Sequence, residues 1–286
     1  SYEISDRHGK EKFSKAIKEN ERFIKKVDKG NPYLGATLGL HASFTLSDQS
    51  LERIAEMKDD FDIPIHIHAA EGWADVQHSK DNGYKGVIHR LNSYNILTPD
   101  SLAIHGVHLQ NGEFEILNNN RVNLIHNPES NMGNAVGAAP VKKAFDKGVR
   151  LGLGTDGYTT DMFESLRVAN LLQTHDRQHP SVGGEHSYEM AFKNNREIAS
   201  KYFNVELGVI KKGAQADLIV LDYNSPTPIN SDNVFSHILM GFNGANVDST
   251  MVGGKFLMKN REVKVFDEEK IYEKCRKQAE DFWKRF

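Results

Sequence analysis

Cys275 is the only cysteine among 286 residues, so no internal disulfide can form and a reducing cytoplasm is the expected setting. A basic excess is also lacking. Lys+Arg 36 stand against Asp+Glu 39, a net charge of -3, which argues against a dedicated nucleic-acid binder. No uninterrupted apolar run approaches the roughly 18 residues of a membrane span, and a mean hydropathy of -0.55 agrees, so no membrane partner is expected. No GxGxxG or P-loop pattern follows a predicted strand and no GxSxG elbow exists, which leaves nucleotide-cofactor binding and serine-hydrolase chemistry unsupported. Cys275 falls on the apolar stripe of a terminal helix, a poor place for a nucleophile. The chain opens on Ser1 with no initiator Met, apolar signal or basic transit pattern, and is read as processed or cut.

What is present is an ordinary globular composition with 13 histidines. The apolar pattern predicts a helix over 10–27, then short strands at 34–44, 63–68, 102–105, 122–126 and 150–155. Helical patterns follow them, the first capped by Ser47 and the fourth, 141–146, closed by Gly148. Strands alternating with helices predict an α/β fold with a parallel sheet, either doubly wound or part of a (β/α)8 TIM-like barrel. After about Tyr202 the rhythm changes to strands at 216–222 and 249–258, with no helix expected between them. The expected division is a barrel part over 1–205, a small β-rich segment over 206–265, and a terminal helix over 266–286 with Asp267 as its N-cap.

Polar residues gather at the C-terminal ends of the predicted strands: His41, His66 and His68, His105, His126, and Asp156 just after the fifth. That edge is where active sites are built in parallel α/β sheets. His66 and His68, two apart on a strand, point to one face. His68 with Glu71 just beyond it suits a metal ligand beside a general acid, whereas His66 fits a hydrogen-bonded core position equally well. Asp156 could instead cap the next helix. His108 reads as a loop residue, and His126 through Asn131 as a polar turn suited to substrate recognition.

The set His68-x-x-Glu71, Ala103-Ile104-His105-Gly106, Asn127-Pro128-Glu129-Ser130-Asn131 and Gly154-Thr155-Asp156-Gly157 resembles the amidohydrolase superfamily, in its branch of deaminases and triazine hydrolases. The segments 213–222 and Val252-Gly253-Gly254-Lys255 resemble that family's small β-sandwich. The opening Ser1 to Gly9 resembles the aminohydrolases found with bacterial selenium-metabolism genes. The resemblance implies a barrel that binds one divalent metal ion, zinc first and iron second. Its metal ligands would be His68 and Asp156. Glu71 would shuttle protons, His105 and Asp156 would complete the catalytic set, and His41, His126, Glu129 and Asn131 would meet substrate.

The first-strand His-x-His pair of the family is absent, since His66-x-His68 matches the fifth strand. The strands present are therefore expected to be four to eight, in the C-terminal two thirds of a longer enzyme. The implied activity is hydrolytic deamination of a small nitrogen heterocycle by metal-activated water, with a homo-oligomer, a dimer, expected of the intact form. Two competing expectations are an inactive fragment that needs its N-terminal part, and an amidase or chlorohydrolase of the same superfamily.

Overall fold

The computed structural model describes residues 3–27, 31 and 33–285. Ser1 and Tyr2, which open the selenium-type motif, lie outside them. Two compact units divide the chain at 204/205. The first begins with α1 (Gly9–Val27), which buries Ala16, Ile17 and Ile24 along one stripe. It continues through β1 (Leu38–Ala42), α2 (Asp48–Phe61), β2 (Ile65–Ala69), α3 (Trp73–Asp81), α4 (Val87–Ser93) and β3 (Leu102–His105). Then come α5 (Glu113–Asn119), β4 (Asn123–His126), α6 (Pro128–Gly133), α7 (Val141–Asp146), β5 (Arg150–Leu153), α8 (Met162–Arg177), α9 (Val182–Tyr188) and α10 (Asn195–Phe203).

The five strands form one parallel sheet in the order β1-β2-β3-β4-β5. The register Gly39↔His66↔Leu102↔Asn123↔Arg150 runs across all of them, which brings the strand ends to one edge of the sheet. Ile65, Ile67 and Ala69 of β2 are buried on one face and leave His66 and His68 half-buried on the other, as a period of two requires.

Neither side of the sheet presents a bare row of backbone groups. Ile4 pairs with Leu40 outside β1, donating to Gly39 and accepting from His41. On β5, side chains take the place of a strand. Asn195 accepts from the Leu153 N–H and donates to the Leu153 carbonyl, both at 2.9 Å, and Asn194 donates to the Leu151 carbonyl at 2.8 Å. Both asparagines lie where a π-helical stretch, Glu189–Asn194, passes into α10. A π-turn alters the 100° step of an α-helix, so two successive side chains can reach one strand. Gly152 leaves the room, since a Cβ there would stand 2.7 Å from Asn195 Oδ1.

The second unit holds β6 (Leu218–Leu221), α11 (Val234–Gly241), β7 (Val247–Val252), β8 (Lys255–Lys259), β9 (Glu262–Val263) and α12 (Glu268–Trp283). Its sheet is antiparallel in the order β6-β7-β8-β9. The strand expected at 249–258 is in fact a hairpin. Gly253 and Gly254, at φ 56° and 76°, supply the left-handed turn that splits it. A helix, α11, also occupies the stretch expected to hold none, carried by the apolar run Ile238-Leu239-Met240. Asp267 caps α12 as expected, accepting from Lys270 N at 3.2 Å.

Candidate active site

Three residues at or just past the ends of the parallel strands hold a left-handed backbone without being glycine: Ala70 (φ 52°), His105 (φ 76°) and Asp156 (φ 52°). That conformation is sterically costly for ordinary L-residues, and such strain concentrates at functional sites. Here it turns the chain at the ends of β2, β3 and β5.

His105 is the hub. Its ring is buried, and its Nε2 lies 3.7 Å from Glu71 Oε2 and 3.7 Å from Asp156 Oδ2. Its Nδ1 meets Asn131 Oδ1 at 2.9 Å, which places the proton of the neutral ring on Nδ1 and leaves Nε2 as acceptor. Burial lowers the His105 pKa, so the ring is held neutral. The His68 ring stands 5.5 Å from it, centre to centre. His68 Nδ1 contacts the His41 carbonyl at 2.6 Å, fixing the tautomer that presents Nε2 as a ligand. Burial pushes the Asp156 carboxyl upward, but the Ser130 hydroxyl, the Gly157 N–H and the two histidines outweigh it, and its pKa falls below the ordinary value.

His41, Phe44, His68, Glu71 and Val136 line a cavity of about 270 Å³. Asp75 forms part of its wall and ties two of its loops together, accepting from Phe44 N at 3.1 Å and Ala70 N at 2.9 Å. Burial raises the Asp75 pKa to about 6 against the pull of those two N–H groups. His41 is anchored through Nδ1 to Thr45 Oγ1 at 2.9 Å. His108 packs its ring on Trp73 at 4.3 Å.

The structure thus brings together His41, His68, Glu71, His105 and Asp156. His126 and Asn131 are not among the residues lining that cavity; both are buried, as His105 is, with relative exposures of 1% and 0%. Asn131 lies against His105, and the carboxylate oxygens of Glu129 are buried. The segment read as a polar turn is helix α6, begun by Pro128 at its first turn, a position that suits proline because no N–H is needed there. Asp156 does not cap the following helix. Asp161 does, accepting from Phe163 N and Glu164 N. Sequence reasoning missed Asp75, Asn134 and Tyr158, polar residues within helical or loop stretches that carry no spacing signal.

His68 with its fixed tautomer, ionised Asp156, and the buried His105 Nε2, which has no hydrogen-bond partner, are the donor types a divalent ion takes. Among the described residues, however, no group of three or more His, Cys, Asp or Glu side chains converges as a metal cage. The donor types present therefore fit part of a coordination shell and not a complete one.

The amidohydrolase-family profile matches residues 1–257. The chain is 34% identical over 289 residues to a 5'-deoxyadenosine deaminase of Methanosarcina mazei, covering 98% of this chain and 66% of that protein. It is 36% identical over 253 residues to a 5-methylthioadenosine/S-adenosylhomocysteine deaminase of Dictyoglomus thermophilum, covering 87% and 59%. The chain thus spans about two thirds or less of the length of these curated relatives. Among solved structures it matches an adenosine deaminase from Xanthomonas campestris with bound zinc at a TM-score of 0.84 and 23% identity, over 98% of this chain and 65% of that one. That likeness establishes the expected architecture, the α/β sheet of a TIM-like barrel with a smaller antiparallel sheet.

Proposed function

The chain belongs to the amidohydrolase family, and from that premise we propose that it carries the acid–base half of a hydrolytic deaminase site for a nitrogen heterocycle, an adenine-bearing nucleoside before others. The observation that supports this reading is His105 Nε2, placed 3.7 Å from both the Glu71 and Asp156 carboxylates beside His68.

His68 and Asp156 would hold a divalent ion, zinc first and iron second, which when bound supplies a water acidic enough to ionise near neutral pH. The chain's own residues do the rest. Ionised Asp156 accepts the proton of the attacking water at Oδ2. His105, neutral and with Nε2 as acceptor, orients that water through one of its O–H groups. Oxygen adds to the ring carbon as Glu71 gives its proton to the adjacent ring nitrogen; the proton taken by Asp156 passes to the amine, the C–N bond breaks to release ammonia, and the remaining O–H proton returns to Glu71 as the oxo group forms. His41, Phe44 and Val136 line the cavity, so they limit which substituents enter beside the ring.

The test is ammonia release from 5'-deoxyadenosine, 5-methylthioadenosine and S-adenosylhomocysteine, with Glu71→Gln as control. The variant should lose at least about a hundredfold in rate while metal content stays the same. Metal loss with an unchanged rate per bound ion would sink the shuttle assignment. A second reading, that these 286 residues are inactive alone, is favoured by the two-ligand count and predicts no turnover until further ligands are supplied.

A further inference from the structure

Glu71 has two carboxylate oxygens, and the structure gives them different neighbours. Oε2 faces His105 Nε2. Oε1 accepts from Asn134 Nδ2 at 3.1 Å, and the same amide nitrogen reaches Ser130 Oγ at 3.3 Å. Asn134 Oδ1 in turn accepts from the Tyr158 hydroxyl at 3.0 Å. Asn134 is the C-cap residue of α6, and Tyr158 lies two residues beyond Asp156. The relay therefore joins the loop of one catalytic carboxylate to the other carboxylate.

A glycine makes this possible. The Tyr158 ring lies so close over Gly133 that a Cβ there would stand 2.2 Å from Cε1 and 2.4 Å from the hydroxyl oxygen. Any side chain at 133 would push the ring away and its hydroxyl off Asn134.

We propose that Asn134, steadied by Tyr158, is a positioning residue that assigns the two oxygens of Glu71 to different tasks. It rests on the reading of Glu71 as the proton shuttle. An amide N–H can only donate, so Oε1 is kept as an acceptor and the proton that Glu71 carries sits on Oε2, the oxygen toward His105. Without the amide, the carboxyl group rotates freely and presents the protonated oxygen in the wrong direction for part of the time.

The experiment uses 5'-deoxyadenosine as probe and the variants Asn134→Ala, Asn134→Asp, Tyr158→Phe, Gly133→Ala and Glu71→Gln. Asn134→Ala should lower kcat roughly tenfold, the lower end of what acid–base positioning supplies, with KM within about twofold and metal content unchanged. Asn134→Asp matches the amide in shape but puts a charge where a donor was. It should keep Tm yet lower kcat at least as far, and it should move the alkaline limb of the kcat–pH profile upward, because a like charge beside Glu71, the proton donor, favours its protonated form. A purely structural role would leave that limb in place. Tyr158→Phe and Gly133→Ala should give smaller losses of the same kind.

In the Glu71→Gln background Asn134→Ala should add nothing, since the two act as one unit. Independently of turnover, the side-chain ¹⁵N–H resonances of Asn134 in the labelled chain should shift in Glu71→Gln and Tyr158→Phe, and not in the distant Tyr84→Phe. If Glu71→Gln is as fast as the parent, the shuttle reading fails. If Glu71→Gln is slow but Asn134→Ala and Asn134→Asp keep the parent kcat and pH profile, the positioning proposal alone is overturned. Multiplying losses in the double variant, or Asn134 resonances blind to Glu71→Gln, overturn it as well.

Discussion

His68 turns Nδ1 onto the carbonyl of His41, 2.6 Å away, and so leaves Nε2 as its free lone pair. His66 shares that face of β2, its ring 6.0 Å from His68, but one pleat repeat deeper. The expected outcome is that His68→Ala and Asp156→Ala each weaken zinc binding at least about tenfold, the usual scale for losing a ligand or its support, while His66→Ala leaves it within about twofold. Competition titration with a chromophoric chelator reads this directly. Equal losses in all three variants would show that His66 also reaches the ion.

Buried groups of opposite sign bear on acid stability, His126 and Asp75 among them. Burial lowers the His126 pKa to about 4, so the folded ring is neutral where an unfolded histidine is already charged. Between about pH 6.5 and 4 the unfolded chain then binds more protons, and the stability His126 contributes, on the order of 3 kcal/mol at most, is lost as pH falls through that window. Asp75, raised to about 6, works the other way. The folded chain binds more protons from about pH 6 down to 4, so the Asp75 contribution grows on acidification. Urea denaturation at pH 7 and pH 5 should show His126→Gln flattening the acid loss and Asp75→Asn steepening it. Parallel profiles for all three proteins would refute the assignment.

The strand ends were legible in the sequence because a two-residue period and short apolar runs leave little freedom. His68 and His105 lie where the pattern puts them, and α7 and β3 have the expected bounds. Depth was less legible. His126 ends β4 as expected but is almost wholly buried, which periodicity along one strand cannot report. Asn131, expected to meet substrate, also holds His105 Nδ1 at 2.9 Å, a contact its place in the sequence does not reveal. The partners of Glu71 and β5, namely Asn134, Asn194 and Asn195, come from 42 to 63 residues away and leave no local trace.

Asn195 serves β5 as a neighbouring strand would, and removing it should be felt locally first. Asn195→Ala leaves both the Leu153 N–H and its carbonyl without their partner, at a cost of about 1–3 kcal/mol. Hydrogen exchange should report the Leu153 amide opening faster than its neighbours in β4. Gly152→Ala sets a methyl 2.7 Å from Asn195 Oδ1 and should destabilise on its own, yet less so when Asn195 is already alanine. Strictly additive effects would show that the two positions do not meet as described.

Arg90 and Asp48 form an ion pair at 2.8 Å whose two ends should respond very differently to mutation. The guanidinium is buried. Its Nη1 donates to the carbonyl and hydroxyl of Ser43, and its Nη2 to the Leu46 carbonyl as well as to Asp48. Asp48 keeps 58% of its side chain in solvent. Arg90→Leu strips two buried carbonyls in the turn after β1 of their donor and should cost about 3–5 kcal/mol, as removing one member of a buried charged network does. Asp48→Asn loses only a screened, exposed charge and should cost less than about 1 kcal/mol. Arg90→Lys, with no planar fork to span Ser43 and Leu46, should fall between them. Urea denaturation of the three variants at pH 7 measures the differences. If Asp48→Asn proves as damaging as Arg90→Leu, the ion pair, and not the backbone carbonyls, is what Arg90 serves.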